Sequence, residues 1–422
     1  MTTVEVAGPE IAATLIARWG RAVFFFLGFS ILLLGVGHFE LPFPGARFSA
    51  WSISRTTFFF WLIWKLFIWF RLGRQHLGLN KASFPLALLA FFVIITASLL
   101  PDFHEADDYR YLFFAVMHCL MILDLFAAGE RAKLLLIMLA LLPGILVIRG
   151  ILHDPSVLNF SSMNRFGYPI SHPNSAGLIF SITIPLALTV IVNQSGWLRR
   201  VALVSLAAQF GGLILTYSRG AWLGCVVSLV AISLLERSLR KAVLTLGFIS
   251  LVAFLTVAPL RNRLLTLIKP KDDITIGQRL QFMTDALAVG LENPFFGVGY
   301  GRDRLREGVK KELKASTQVG FISHSHNLYT ELLAETGVVG LGAFLWMILA
   351  NLSRLIRKAR SELSPSTRIL YIGLAASLIA FLVSVLGDAP FYNHDTRIFF
   401  FTLLALTYLY LRHAVPVRGG SE

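Results

Sequence analysis

Apolar runs of about twenty residues recur along most of this chain, and they restrict its fold more than any other feature. The stretch 174–193 holds no Lys, Arg, Asp or Glu, and several others hold one at most. A helix of that length reaches about 30 Å, the thickness of a bilayer's hydrocarbon core. Membrane β-barrels show short alternating segments instead, so continuous runs argue for helices. With 56% apolar and 15% charged residues and a mean hydropathy of +0.69, so much apolar side chain cannot be hidden from water. The expectation is an all-α polytopic membrane protein, a single integral membrane domain over 1–422.

About twelve spans are predicted: 20–38, 52–70, 83–100, 109–128, 132–150, 174–193, 197–216, 221–235, 241–259, 328–350, 366–386 and 396–412. Alternate connections differ in charge. One set is basic throughout, with Arg71, Arg74, Arg131, Lys133, Arg199, Arg200, Arg237, Arg240, Arg354, Arg357, Lys358 and Arg360 among its members. The other includes the acidic stretch 101–108 and the segment 388–395, nearly free of Lys and Arg. Positive-inside sorting places the first set and both termini in the cytoplasm. The net charge of +14 and pI near 10.1 then reflect loops against anionic lipid rather than nucleic-acid binding, because no soluble basic domain is present. The polar start, with no small-residue cleavage site after a short apolar segment, reads as preceding a retained first helix. Cys119 and Cys225 fall inside apolar runs, where free buried thiols are expected.

The outward side would carry 149–173, the turn 217–220 and one large loop, 260–326. Within that loop 274–290 has helical apolar spacing and reads as an amphipathic helix ended by Asn293-Pro294, with Gly297–Gly301 a flexible turn. Long loops escape the charge rule, but Arg165 and Arg219 lie in short ones. An arginine at a span end commonly snorkels. Arg219, however, is followed by Gly220 and Gly224, and Ser218 can cap the next helix, so a helix N-terminus beside a guanidinium makes an anion site. Arg279 follows Gly277, its plain reading being a solvated helix face. Arg165 lies in a loop with Tyr168, His172 and Asn174 of the kind that suits phosphate or glycan.

His324-Ser325-His326-Asn327 precedes the run Leu328–Trp346. Two histidines so spaced can ligate metal, but no adjacent cysteine or carboxylate pair completes a set, so no metal or other cofactor is expected. A neutral imidazole at a helix start suits a general base. Glu331 and Glu335 share a face one and two turns on, placed to orient it, to bind hydroxyls, or simply to solvate the helix. No Gly-x-x-x-x-Gly-Lys loop indicates an ATP motor, and few acids lie within the spans, which disfavours a proton-driven transporter.

Tyr217-Ser218-Arg219-Gly220-Ala221-Trp222, Asn293-Pro294-Phe295-Phe296-Gly297-Val298-Gly299-Tyr300-Gly301 and the block 324–340 together resemble the O-antigen ligase and polymerase superfamily, in order and around one large outer loop. The resemblance implies a bacterial inner-membrane glycosyltransferase of lipid-linked-donor (GT-C-like) architecture. Such enzymes move a glycan from undecaprenyl diphosphate on the periplasmic face; the ligases place it on a sugar of lipid A-core, with inversion and without metal or ATP. The family's histidine maps to His326 and its diphosphate-binding arginines to Arg219, Arg279 and, less firmly, Arg165. Asn327, Glu331, Asn174, Tyr217 and His324 are candidate substrate-binding or orienting residues. A basic outer loop, including Arg302, Arg304, Arg306, Lys310 and Lys311, favours a phosphorylated lipid A-core acceptor, hence a ligase. A polymerase joining two lipid-linked glycans is the alternative. A flippase would string polar groups through the spans.

Overall fold

The computed structural model describes residues 39–40, 47–48, 59–63, 66, 106–126, 129–161, 164–170, 172–265, 274–312 and 324–412. Twelve α-helices are numbered here in chain order: α1 (Ala106–Leu125), α2 (Gly129–His153), α3 (Pro173–Asn193), α4 (Gly196–Leu215), α5 (Arg219–Leu235), α6 (Arg240–Thr256), α7 (Ala258–Leu265), α8 (Ile274–Glu292), α9 (Arg302–Glu312), α10 (Leu328–Ser361), α11 (Pro365–Ser384) and α12 (His394–Arg412). A two-residue antiparallel pair, β1 (Phe39–Glu40) with β2 (Arg47–Phe48), precedes them. From residue 106 onward every expected span coincides with a helix, and the amphipathic segment 274–290 is α8. The expected spans 20–38 and 83–100, and most of 52–70, lie outside the described residues.

Among the described residues, six stretches are long and apolar enough to cross a membrane: Gly129–His153, Pro173–Asn193, Gly196–Leu215, Arg237–Thr256, Leu328–Ser361 and Pro365–Ser384. Leu112–Leu125 and Arg219–Leu235 are shorter apolar helices. The chain is thus a multi-pass, predominantly helical membrane protein. The α6 segment is apolar yet almost wholly exposed, as a lipid-facing helix must be. Cys119 and Cys225 are free and buried.

α3 is the central post, buried nearly along its whole length and packed against α4, α5 and α11. In lipid, helices associate through close packing and internal hydrogen bonds rather than through exclusion of water. Both devices are present. Gly220 and Gly224 let α5 approach the end of α11 so closely that a Cβ at 224 would overlap Ser384 Oγ. Gln209 Nε2 donates to Ala140 O (2.7 Å), and Thr183 Oγ1 donates to Gln209 Oε1 (2.7 Å), so one amide braces α2, α3 and α4.

α10 contains the feature that positions the site. Its Gly337 is non-helical (φ 63°, ψ −168°), so the helix breaks there. A break frees backbone groups that must find other partners. The segment 294–299 supplies them. Val298 N donates to Ala334 O and Gly299 N to Glu335 O, both at 2.9 Å; Val338 N donates to Pro294 O at 2.7 Å. A Cβ at Gly337 would overlap the Phe295 carbonyl, and one at Gly297 the Ala334 carbonyl. The turn after α8, expected to be flexible, is therefore fastened to α10 by a short backbone ladder.

Candidate active site

Asn327 is the N-cap of α10. Its Oδ1 accepts from Tyr329 N (2.9 Å) and Thr330 N (3.2 Å), and its Nδ2 donates to Leu386 O (3.2 Å). Leu328 N donates to Val385 O (3.1 Å). The start of α10 is thereby tied to the turn that follows α11. Glu331, one turn in, is buried, and Ser325 N and Oγ converge on its Oε2 at 2.6 and 3.0 Å. Glu335 accepts from Gly301 N (3.1 Å) and from the Tyr392 hydroxyl. Both glutamates, expected to orient the histidine, to bind sugar hydroxyls or simply to solvate the helix entry, are buried and fasten the loops around the site.

His326 therefore sits on a backbone held from both sides. Its φ of 58° is left-handed, a conformation that non-glycine residues adopt at a cost of about 1–3 kcal/mol and that clusters at functional sites. Its imidazole lies against His324, with ring centroids 3.9 Å apart, and Phe282 of α8 stacks at 6.3 Å. Asp388 faces both histidines: its Oδ1 is 3.6 Å from His326 Nδ1 and 3.7 Å from His324 Nε2. Burial alone would raise the Asp388 carboxyl, but the facing His326, then the charges of His324, His326 and His172, hold it below its usual range. Burial, and next the neighbouring His326, push His324 down to about 4, so it is neutral near pH 7. Burial also lowers His172, whose Nδ1 caps α3 by accepting from Asn174 N (3.2 Å).

Of the three candidate arginines, Arg279 reaches the turn that follows α11. Arg279 of α8 donates from Nη1 to Gly387 O (3.3 Å), beside Asp388. Arg219 is the first residue of α5, and the next residue, Gly220, packs against Gly387. Arg165 donates to Thr216 O (2.7 Å) and Asn174 Oδ1 (2.6 Å). Burial lowers Arg165 to about 10; repulsion from Arg263, Arg279 and Arg219 adds to this, and Asp388 opposes it. The positive charges of Arg263, Arg279 and Arg219 thus act on Arg165, an arrangement that suits an anion.

Four sequence expectations change in detail. Ser218 occupies the N-cap of α5, but its side chain makes no capping bond; its N–H donates to Thr216 Oγ1 (3.2 Å). Tyr217 is wholly buried against Trp222 at a left-handed φ of 52°, its hydroxyl unpartnered among the described residues. Asn174 Oδ1 accepts from Arg165 while its Nδ2 is unpartnered among the described residues, and Asn327 caps α10. Two residues are new to the site. Asp388, which sequence marked only as part of a segment poor in Lys and Arg, is the carboxylate at the histidines. Arg263 of α7 points its Nε at Tyr217 O (3.5 Å) and repels Arg165.

Asp388 also supplies the carboxylate that the His324–His326 pair lacks in sequence. One donor atom from each of the three lies within 4.8 Å of the others. Tetrahedral zinc ligands stand about 3.3 Å apart, so this set could close on a cation. The same geometry serves equally as an imidazole–carboxylate pair for proton transfer.

Residues 201–345 match the sequence model of a family described as O-Antigen ligase. That span runs from α4 through the broken part of α10 and includes Arg219, Arg279 and His326, while Arg165 and Asp388 lie outside it. A search of curated proteins gave no match. The family match supports membership of the O-antigen ligase and polymerase superfamily.

Proposed function

We propose that this member of the O-antigen ligase and polymerase superfamily transfers a glycan from undecaprenyl diphosphate to a sugar hydroxyl of lipid A-core at the periplasmic face of the bacterial inner membrane, inverting and without metal or ATP. The observation that carries the reading is that His326, Asp388 and Arg279 meet at the turn 385–389, against which α5 packs at Gly220, the residue after Arg219.

The chemistry assigns each part. The acceptor hydroxyl is a poor nucleophile, and His326 takes its proton as the hydroxyl oxygen attacks the anomeric carbon. Proton transfer of this kind is worth about 10²–10⁴-fold. Asp388 orients the imidazole and stabilises the imidazolium once formed. The bond from the anomeric carbon to the diphosphate breaks, and the departing charge meets Arg219 and Arg279, with Arg165 and Arg263 behind them. A lipid diphosphate that leaves in this way needs no nucleotide. The acceptor would approach along α9, where Arg302 and Lys310 are exposed; these cations suit the phosphates of lipid A-core.

Purified protein given undecaprenyl-diphosphate-linked glycan, with either lipid A-core or a second lipid-linked glycan, tests the assignment. Extension of lipid A-core is expected. Extension of the second donor alone would make the protein a polymerase, and transfer to neither would overturn the transferase reading. Transfer should persist in excess chelator; a loss restored by a divalent cation would show that the His324–His326–Asp388 set works as a metal site.

A further inference from the structure

At the opposite end of α10 the chain forms a second concave site. Arg354 lies about 40 Å of helix beyond Leu328 at 1.5 Å per residue. Arg354, Arg357, Lys358 and Ser361, spaced three and four apart, form one stripe of α10, and the end of α12 faces them with Tyr408, Leu411 and Arg412. Together they line a cavity of about 530 Å³. Like charges at this spacing destabilise a helix. Some other arginines do find acids, as Arg368 does with Glu236 (3.5 Å) and Arg306 with Asp303 (3.1 Å). Among the described residues, none of Arg354, Arg357, Lys358 or Arg412 forms an ion pair. The nearby Glu362 is occupied by its own turn, accepting from Ser364 N (3.1 Å).

We infer that this cleft between the ends of α10 and α12 binds the phosphate-bearing headgroup of an anionic glycerophospholipid, of the kind that carries two phosphodiesters. The four cations supply donors for more than one phosphate, while the Ser361 hydroxyl turns back to the Arg357 carbonyl (3.1 Å). The volume is within the range of about 300–1,000 Å³ typical of sites for whole ligands, far more than one inorganic phosphate fills. The cavity lies where the apolar part of α10 gives way to Ser353-Arg354-Leu355-Ile356-Arg357-Lys358, the level at which headgroups sit. Leu411 adds an apolar wall for the start of an acyl chain.

Native mass spectrometry of the full chain in detergent micelles tests this with three probes: a cardiolipin, a phosphatidylcholine and inorganic diphosphate. Cardiolipin should be retained and phosphatidylcholine should not. Each cation near a lipid surface contributes about a factor of five, so the variant Arg354→Gln/Arg357→Gln/Lys358→Gln should bind cardiolipin on the order of 10²-fold more weakly. Should that variant elute as aggregate, Arg412→Gln alone should show roughly fivefold weaker retention. Equal cardiolipin binding by wild type and the folded variants would overturn the inference. Tighter binding of inorganic diphosphate than of cardiolipin would overturn the lipid assignment in favour of a soluble anion.

Discussion

Asp388 and Arg279 show how single residues divide the work. Asp388 touches the imidazole that is to carry the proton, and its role is electrostatic and orienting. Asp388→Asn keeps the shape and removes the charge, so the turnover rate should fall on the order of 10²-fold with little change in donor affinity; a steady-state assay separates the two. Arg279 and Arg219 act instead on the leaving diphosphate. Lysine retains their charge but not the planar fork, so Arg219→Lys should turn over at least about tenfold more slowly. Wild-type rates in that variant would mean that Arg219 merely reaches to the headgroups. Arg219 and His326 were singled out in the sequence by short motifs beside helix starts, and Arg279 by the family resemblance. Asp388 was not. It is a lone acid far along the chain, and only the fold brings the turn 385–389 against both α5 and α10.

At the scale of elements, the break in α10 links two motifs that sequence shows as separate. Gly297 and Gly337 are both glycine because the two backbones meet there and each has a positive φ. The ladder between 294–299 and 334–339 is made of backbone groups, so it leaves no side-chain periodicity to read, and Gly297–Gly301 looked like a flexible turn. The membrane-length helices were readable because each apolar run is long, whereas the short, charged α7 and α9 were not. Gly337→Ala should cost about 1–3 kcal/mol from backbone strain alone, with more from the overlap at Phe295. The expected result is a lower temperature of aggregation in detergent and a loss of transfer in parallel. An unaltered melting profile would mean that the ladder contributes little to holding α8 and Arg279 over the histidines.

For the whole molecule, the orientation expected from the charge of alternate connections calls for a direct test. The His326 end of α10 gathers the arginine site, and its other end gathers the basic cleft. Because Cys119 and Cys225 are buried, introduced cysteines can report sidedness. Gln278→Cys, at an exposed position beside Arg279, should react with a membrane-impermeant maleimide on intact spheroplasts, and Arg360→Cys only after lysis. The reverse pattern would place the histidines in the cytosol, away from any periplasmic donor. The most direct test of the central claim is single-turnover glycan transfer by His326→Ala beside wild type, both shown monodisperse, with saturating lipid-diphosphate donor. The proposed mechanism predicts a fall of about 10²–10⁴-fold in rate with donor still bound; a wild-type rate would contradict it.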